Sequence, residues 1–333
     1  MPTTNTYYKQ DMSTLAYQLS DPYANLVYNQ VFPAMNAGAE LGKFRKKDAR
    51  TWFEELRSMA SKFTTPESHN TTDAFLDFKI DPISSAFEFS NADLGQATSR
   101  GYPSAAAMIQ EEMAVTMYLL KKLKEKALYT FVSDNSNFQG ATYYANAGTA
   151  WSTTTTADSL DDIMAGRTIV EAGGYRLNAG IISNTALNYL QQHASIQSST
   201  TVMGSARDGS VNPFVTVDFL KNYWNLDHLW IASGALVTDS SDPTDSTIAE
   251  IWGDSMLLFD YNANAIQSPR QPSWLKHLFW RPDGKGDSSE GWIVNESQKG
   301  EVGGVGVRKW GIWDYYTFLS HEKKLAYRID NLY

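Results

Sequence analysis

Apolar residues recur along this chain at two periods, and the change from one to the other marks its elements. The longest helical signal covers residues 104–132: Ser104 stands where an N-cap belongs, and Ile109, Met113, Met117, Leu120, Leu123 and Ala127 follow at helical spacing with a polar face opposite. Glu111 and Glu112 near its start and Lys121, Lys122, Lys124 and Lys126 toward its end match the helix dipole, so one rigid helix of about 40 Å is predicted. Leu160, Ile163, Met164 and Ile169 predict another over 159–172, stopped by Gly173-Gly174. Trp52, Phe53, Leu56 and Met59 predict a short helix within 41–62.

Elsewhere the period is two. Leu76, Phe78 and Ile80 alternate with Asp77 and Lys79, and Phe87 and Phe89 flank Glu88, which predicts strands. Gly180, Ile181 and Ile182 read as a strand, followed by Ser183 or Asn184 capping a helix that carries Ala186, Leu187, Tyr189 and Leu190. A second such alternation is predicted over 217–224 and 229–237, then a strand over 248–259. From Trp274 the pattern is strand-like, with Leu275, Leu278 and Phe279, a turn region over 282–291 and further runs at 310–319 and 325–329. Helices and strands interleave, so the middle of the chain is α/β or α+β, and α+β is the class expected for the whole. The first forty residues show no sustained period and read as an extended or partly helical arm without a core of its own.

Composition narrows the picture. At 333 residues, 42% apolar and 20% charged, the chain can build two or three folded units and is too hydrophobic to stay disordered. No apolar stretch approaches the roughly 18 residues of a membrane span, and Met1-Pro2-Thr3-Thr4-Asn5 predicts no secretory leader, hence a start in the cytoplasm. The absence of cysteine excludes disulfides, thiolate metal sites and thiol nucleophiles. With 28 Lys and Arg against 37 Asp and Glu, a net charge of -9 argues against wholesale neutralisation of nucleic-acid phosphates. Aromatic residues make up 13%, a content that suits cores, sugar platforms and subunit interfaces alike.

Chemical motifs are sparse. Gly304-Val305-Gly306 lacks the third glycine of a dinucleotide fingerprint, because Lys309 stands there, and Gly284-Lys285-Gly286-Asp287-Ser288 lacks the spacing of a phosphate loop. The histidines, at 69, 193, 228, 277 and 321, stand singly without metal-ligand spacing, and no Gly-x-Ser-x-Gly elbow occurs. Asp161-Asp162, Asp283 with Asp287, and Glu290 could supply paired carboxylates for glycoside cleavage, but first-turn helix positions and a polar turn account for them. No catalytic, cofactor-binding or metal-ligating residue is therefore nominated. The densest positive stretch is Lys43, Phe44, Arg45, Lys46, Lys47 and Arg50, on an exposed loop or helix face; in an acidic chain it favours a protein contact over nucleic acid.

The order of these features resembles the major capsid proteins of tailed bacteriophages, which share the Hong Kong 97-like fold. Gly42-Lys43-Phe44-Arg45 opens a charged excursion that closes through Leu76-Asp77-Phe78-Lys79, similar to that family's extended loop, and residues 104–132 resemble its spine helix. Trp151-Ser152 with Ser159-Leu160-Asp161-Asp162-Ile163, the strand and helix of 178–190, Leu226-Asp227-His228-Leu229-Trp230-Ile231-Ala232, Ile251-Trp252-Gly253-Asp254 with Met256-Leu257-Leu258-Phe259, and the terminal 323–331 follow in matching order.

The resemblance implies an N-terminal arm (1–40), an extended loop (41–95), a peripheral domain with the spine helix (96–156), an axial domain (157–270) and a return to the peripheral domain (271–333). It implies a non-enzymatic shell subunit forming hexamers and pentamers of an icosahedral head in the virion, assembled in the host cytoplasm around double-stranded DNA without sequence-specific contacts. Its partners would be other copies, a portal and, since only about forty residues precede the loop, a separate scaffolding protein. Lys43, Arg45, Lys46, Lys47, Arg50, Trp52 and Phe53 are the expected contacts between copies. Some relatives join subunits by lysine–asparagine bonds; Lys62 is a conceivable donor, with no partner identified. The alternatives are an encapsulin-like compartment shell and a carbohydrate-active enzyme.

Overall fold

A computed structural model describes residues 26–47, 73–202, 215–237, 248–269, 271–282, 292–302 and 305–333. Two five-stranded sheets, bridged by one long helix, organise them. The helix, α3 (Ala105–Ser133), follows two short helices, α1 (Val27–Val31) and α2 (Asn91–Gly95). Ser104 caps it by accepting a hydrogen bond from the Ala107 amide at 3.2 Å, as its sequence predicts.

The first sheet is built on β13 (Val305–Ser320), which is long enough to take several partners. Along one edge it pairs antiparallel with β4 (Asp81–Ser90), and along the other with β12 (Trp292–Val302) and then β11 (Leu275–Phe279). The two-residue β1 (Met35–Asn36) adds in parallel to β11. Ile109, Met113, Met117 and Leu120 of α3 pack on this sheet against Phe87, Val294, Trp310 and Ile312.

The second sheet runs β5 (Tyr144–Asn146), β14 (Ala326–Asp330), β10 (Met256–Phe259), β6 (Ala179–Ser183), β7 (His228–Ala232). It is covered on both faces, which is why Met256-Leu257-Leu258-Phe259 is apolar without alternation and wholly buried. Leu258, Ile182, Tyr327 and Ile329 face a core with Ile163 and Val170 of α4 (Ser159–Ala172), Leu187 and Leu190 of α5 (Asn184–Gln192), and Leu220 of α7 (Val217–Tyr223); α6 (Ala194–Val202) adds Ile196. Leu257, Phe259, Ile181 and Ala326 face the other core, with Val27 and Val31 of α1, Leu128 and Val132 of α3, and Trp274. The spine helix thus lies against the first sheet with its first half and against the second with its last turns.

Several elements differ from their sequence reading. Leu26, Val27, Tyr28, Val31 and Phe32, placed in the coreless arm, are buried in the body. Burial of a large apolar side chain contributes about 1.5–3 kcal/mol, enough to offset an ordering cost of about 1–2 kcal/mol per residue. The expected strand over 248–259 is two strands, β9 (Ile248–Glu250) and β10, and the run over 229–237 divides into β7 and β8 (Ala235–Val237). The second alternation runs helix first, because Thr216 caps α7 through the Phe219 amide. Gly173-Gly174 does end α4, Gly174 taking φ +85°. The last strand, β14, joins the sheet of the expected axial segment, whereas β11 to β13 belong to the other.

Candidate intersubunit surface

The basic stretch is a strand. β2 (Leu41–Lys47) pairs antiparallel with β3 (Asp73–Lys79) from Leu41 opposite Lys79 to Lys47 opposite Asp73. Alternation then divides the ladder into two faces. Phe44, Leu76 and Phe78 turn toward the body and pack with Ile80 and Leu278, while Leu41 and Phe75 stay 64% and 60% exposed beside Lys43, Asp77 and Lys79. The Ile80 amide donates to the Glu40 carbonyl at 2.9 Å and closes the base of the ladder.

The nominated contact residues part company here. Lys43 is solvent-facing and only 4.0 Å from Asp77, a pair of little energetic weight. Lys46 is not available to a neighbour in this arrangement, because its ammonium lies 3.0 Å from Glu322 of its own chain. Arg45 and Lys47 lie on the β2 backbone, with side chains outside the described set; Arg50, Trp52, Phe53 and Lys62 lie outside the described residues altogether.

A second exposed surface was hidden in the helix pattern. Val115, Leu119 and Leu123 are 47%, 47% and 44% exposed and, four residues apart, form one apolar stripe along α3. Leu123, expected in the core, belongs to this stripe. The buried positions of that turn are Lys124 and Glu125. Lys124 lies 2.5 Å from Asp314 of β13, both side chains being fully enclosed, and its ammonium faces the rings of Tyr28 and Tyr316 at 5.4 and 4.7 Å. Burial pushes the Asp314 carboxyl up and the Lys124 charge opposes that rise. Glu125 accepts hydrogen bonds from the Tyr28 amide at 2.9 Å and the Trp252 indole at 2.5 Å, and burial pushes its carboxyl up to about 7.

The remaining polar candidates are structural. Asp158 caps α4 through the Leu160 and Asp161 amides, and Asp162 accepts from the Gly148 amide and the Trp151 indole at 2.9 and 2.8 Å. His193 and His277 are buried against the carbonyls of Trp151 and Phe32, and His228 stacks on Trp230. Among the described residues no three histidines or carboxylates cluster as metal ligands would, and no helix is long and apolar enough to cross a membrane. Asp283, Asp287, Glu290, Gly304 and His69 lie outside the described residues.

No family model and no curated protein matches this sequence. Solved structures do. A phage-related protein from Bordetella bronchiseptica RB50 superposes with a TM-score of 0.69 at 15% identity, over 97% of each chain. The putative capsid protein of a prophage from E. coli CFT073 gives 0.55 at 12% identity over 99% of each chain. An encapsulin complex from Synechococcus elongatus gives 0.52 at 11% identity, over 96% of this chain and 95% of that one. The chain has the Hong Kong 97-like fold shared by phage capsid proteins and encapsulin shells.

Proposed function

We propose that this chain is the major capsid protein of a tailed phage. Copies associate through hexamers and pentamers into an icosahedral head that encloses double-stranded DNA. The observation that carries the reading is the superposition over 97% of both chains with a phage-related protein, at a TM-score of 0.69. The apolar stripe of α3 and the outward face of the β2–β3 ladder support it, since both expose large side chains that a monomer gains nothing by displaying. Symmetry repeats each such contact around the shell, so modest pairwise interfaces sum to a stable closed assembly.

The role is structural rather than catalytic. A portal and a separate scaffolding protein are the further partners, assembly takes place in the host cytoplasm, and the product resides in the virion. The net charge of -9 favours DNA held by confinement rather than by phosphate contacts over the whole surface. The encapsulin likeness over 96% of the chain favours one second reading, a compartment shell around protein cargo.

Expression of the full chain with and without a candidate scaffold, followed by electron microscopy, tests both. Closed icosahedral particles support a shell; nuclease-protected DNA inside particles from infected cells supports the phage head, and co-purifying protein cargo supports the compartment. Monomers that never assemble under any of these conditions would defeat both readings.

A further inference from the structure

Beyond the apolar packing of Phe44, Leu76 and Phe78, and away from its base, the β2–β3 ladder meets the body through one charged and one aromatic contact, on neighbouring residues of the segment that follows β13. Lys46 and Glu322 meet at 3.0 Å with side chains only 18% and 6% exposed. Two residues before Lys46 on the same face of the strand, Phe44 stands edge-on to the ring of His321 at 5.7 Å between centroids. His321 and Glu322 are themselves fixed, their amides donating to the Trp274 and Ser273 carbonyls at 2.9 and 3.0 Å. The segment that receives the ladder is therefore tied through its backbone to residues 273 and 274, whereas the ladder's outer face meets solvent.

We propose that Lys46 is a positioning residue: its ion pair with Glu322 fixes the direction in which the β2–β3 ladder leaves the body and so presents the ladder to a second copy. The pair suits this task better than an apolar contact would. An apolar patch tolerates sliding and rotation, but an ammonium facing a nearly enclosed carboxylate is held to one position. Swinging the ladder away would break the ion pair while it is shielded from solvent, so the orientation is defended by the loss of that shielded pairing. The inference about presentation rests on the shell reading; the inference about orientation does not.

The chain contains no cysteine, so paired spin labels can be placed at will. With Asp77→Cys on the outward face of β3 and Glu111→Cys on α3, the label-to-label distance distribution reports the ladder's direction directly. The expected result is a narrow distribution that broadens at least twofold on Lys46→Met and narrows again when Lys46→Glu is combined with Glu322→Lys. In the unlabelled protein, Lys46→Met is expected to raise the concentration needed for shell formation at least tenfold, with the exchange restoring most of it and the monomer melting within a few degrees of wild type. If wild type forms no shells yet the distribution behaves as described, the tether stands and the shell reading falls. A distribution that Lys46→Met leaves unchanged, or that the exchange leaves broad, overturns the tether.

Discussion

Glu125 joins segments far apart in the chain, holding the Tyr28 amide of α1 and the Trp252 indole to the spine helix through one enclosed carboxyl group. The groups around it are uncharged: the Val27 and Tyr28 amides, the Trp252 indole, and Tyr129, whose ring packs on Trp252 at 5.5 Å. Lys124, its neighbour on the helix, is turned to Asp314. With desolvation dominant, the folded chain keeps the Glu125 proton up to about pH 7, whereas a carboxyl of ordinary pKa, 4.5, has released it well below. Between those values the native state binds more protons than the unfolded one, so this group's contribution to stability falls as pH rises through the window and is flat above it. Glutamine cannot ionise. Relative to wild type, Glu125→Gln should therefore gain up to about 3 kcal/mol between pH 4.5 and 7, superimposed on a pH-independent loss of about 1 kcal/mol for one amide or indole left without an acceptor. Urea unfolding of both proteins at several pH values reads the difference, and parallel profiles would show that Glu125 does not titrate in this window.

At the scale of elements, the sequence was most legible where one face alone is buried. The start of α3 followed from its Ser104 cap, the end of α4 from Gly173-Gly174, and the ladder's inward Leu76 and Phe78 from simple alternation. It was least legible where a charged pair replaces apolar residues in the core. The enclosed positions of α3 run Met113, Met117, Leu120, Lys124 and Leu128, and a pattern that assigns lysine to solvent slides to Leu123 instead, about 100° around the helix. The tether was equally hidden, because the partner of Lys46 lies 276 positions away at Glu322 and no local spacing connects them.

Helix-to-sheet packing supplies a test at this scale. Gly166 of α4 sits over Tyr327 of β14, and a Cβ there would come within 2.5 Å of the ring, which is itself buried. In an exposed helix Gly→Ala stabilises by up to about 1 kcal/mol; here the clash should reverse the sign and cost about 1–3 kcal/mol. A lowered melting temperature for Gly166→Ala is expected, and a raised one would mean that α4 stands further from the sheet than its packing indicates.

For the whole molecule the two bridged sheets give a body whose main cores are formed by the described residues of a single chain. The cores on both faces of the second sheet, and the one under α3, are closed within the chain. Left open, besides the outer face of the β2–β3 ladder, is the stripe of Val115, Leu119 and Leu123, on a helix long enough, about 44 Å for its 29 residues, to offer a contact that is the same on every copy. Because these side chains are nearly half exposed in the single subunit, replacing them removes little that holds it together, and surface changes of this kind usually shift stability by no more than about 0.5 kcal/mol. Covering them in an assembly is another matter. Two leucines already half covered in the subunit contribute about 0.7–1.4 kcal/mol each when a contact encloses the rest, so Leu119→Glu with Leu123→Glu should weaken a pairwise contact at least tenfold, and closure compounds that loss around the shell. The double variant is expected to purify as a monomer that melts within a few degrees of wild type and yields no closed particles at concentrations where wild type assembles, as read by light scattering and electron microscopy. Normal particles from the double variant would place the stripe on the solvent side of the shell and move the contact between copies to the outer face of the β2–β3 ladder, where Leu41→Glu and Phe75→Glu would then be the variants that stop assembly.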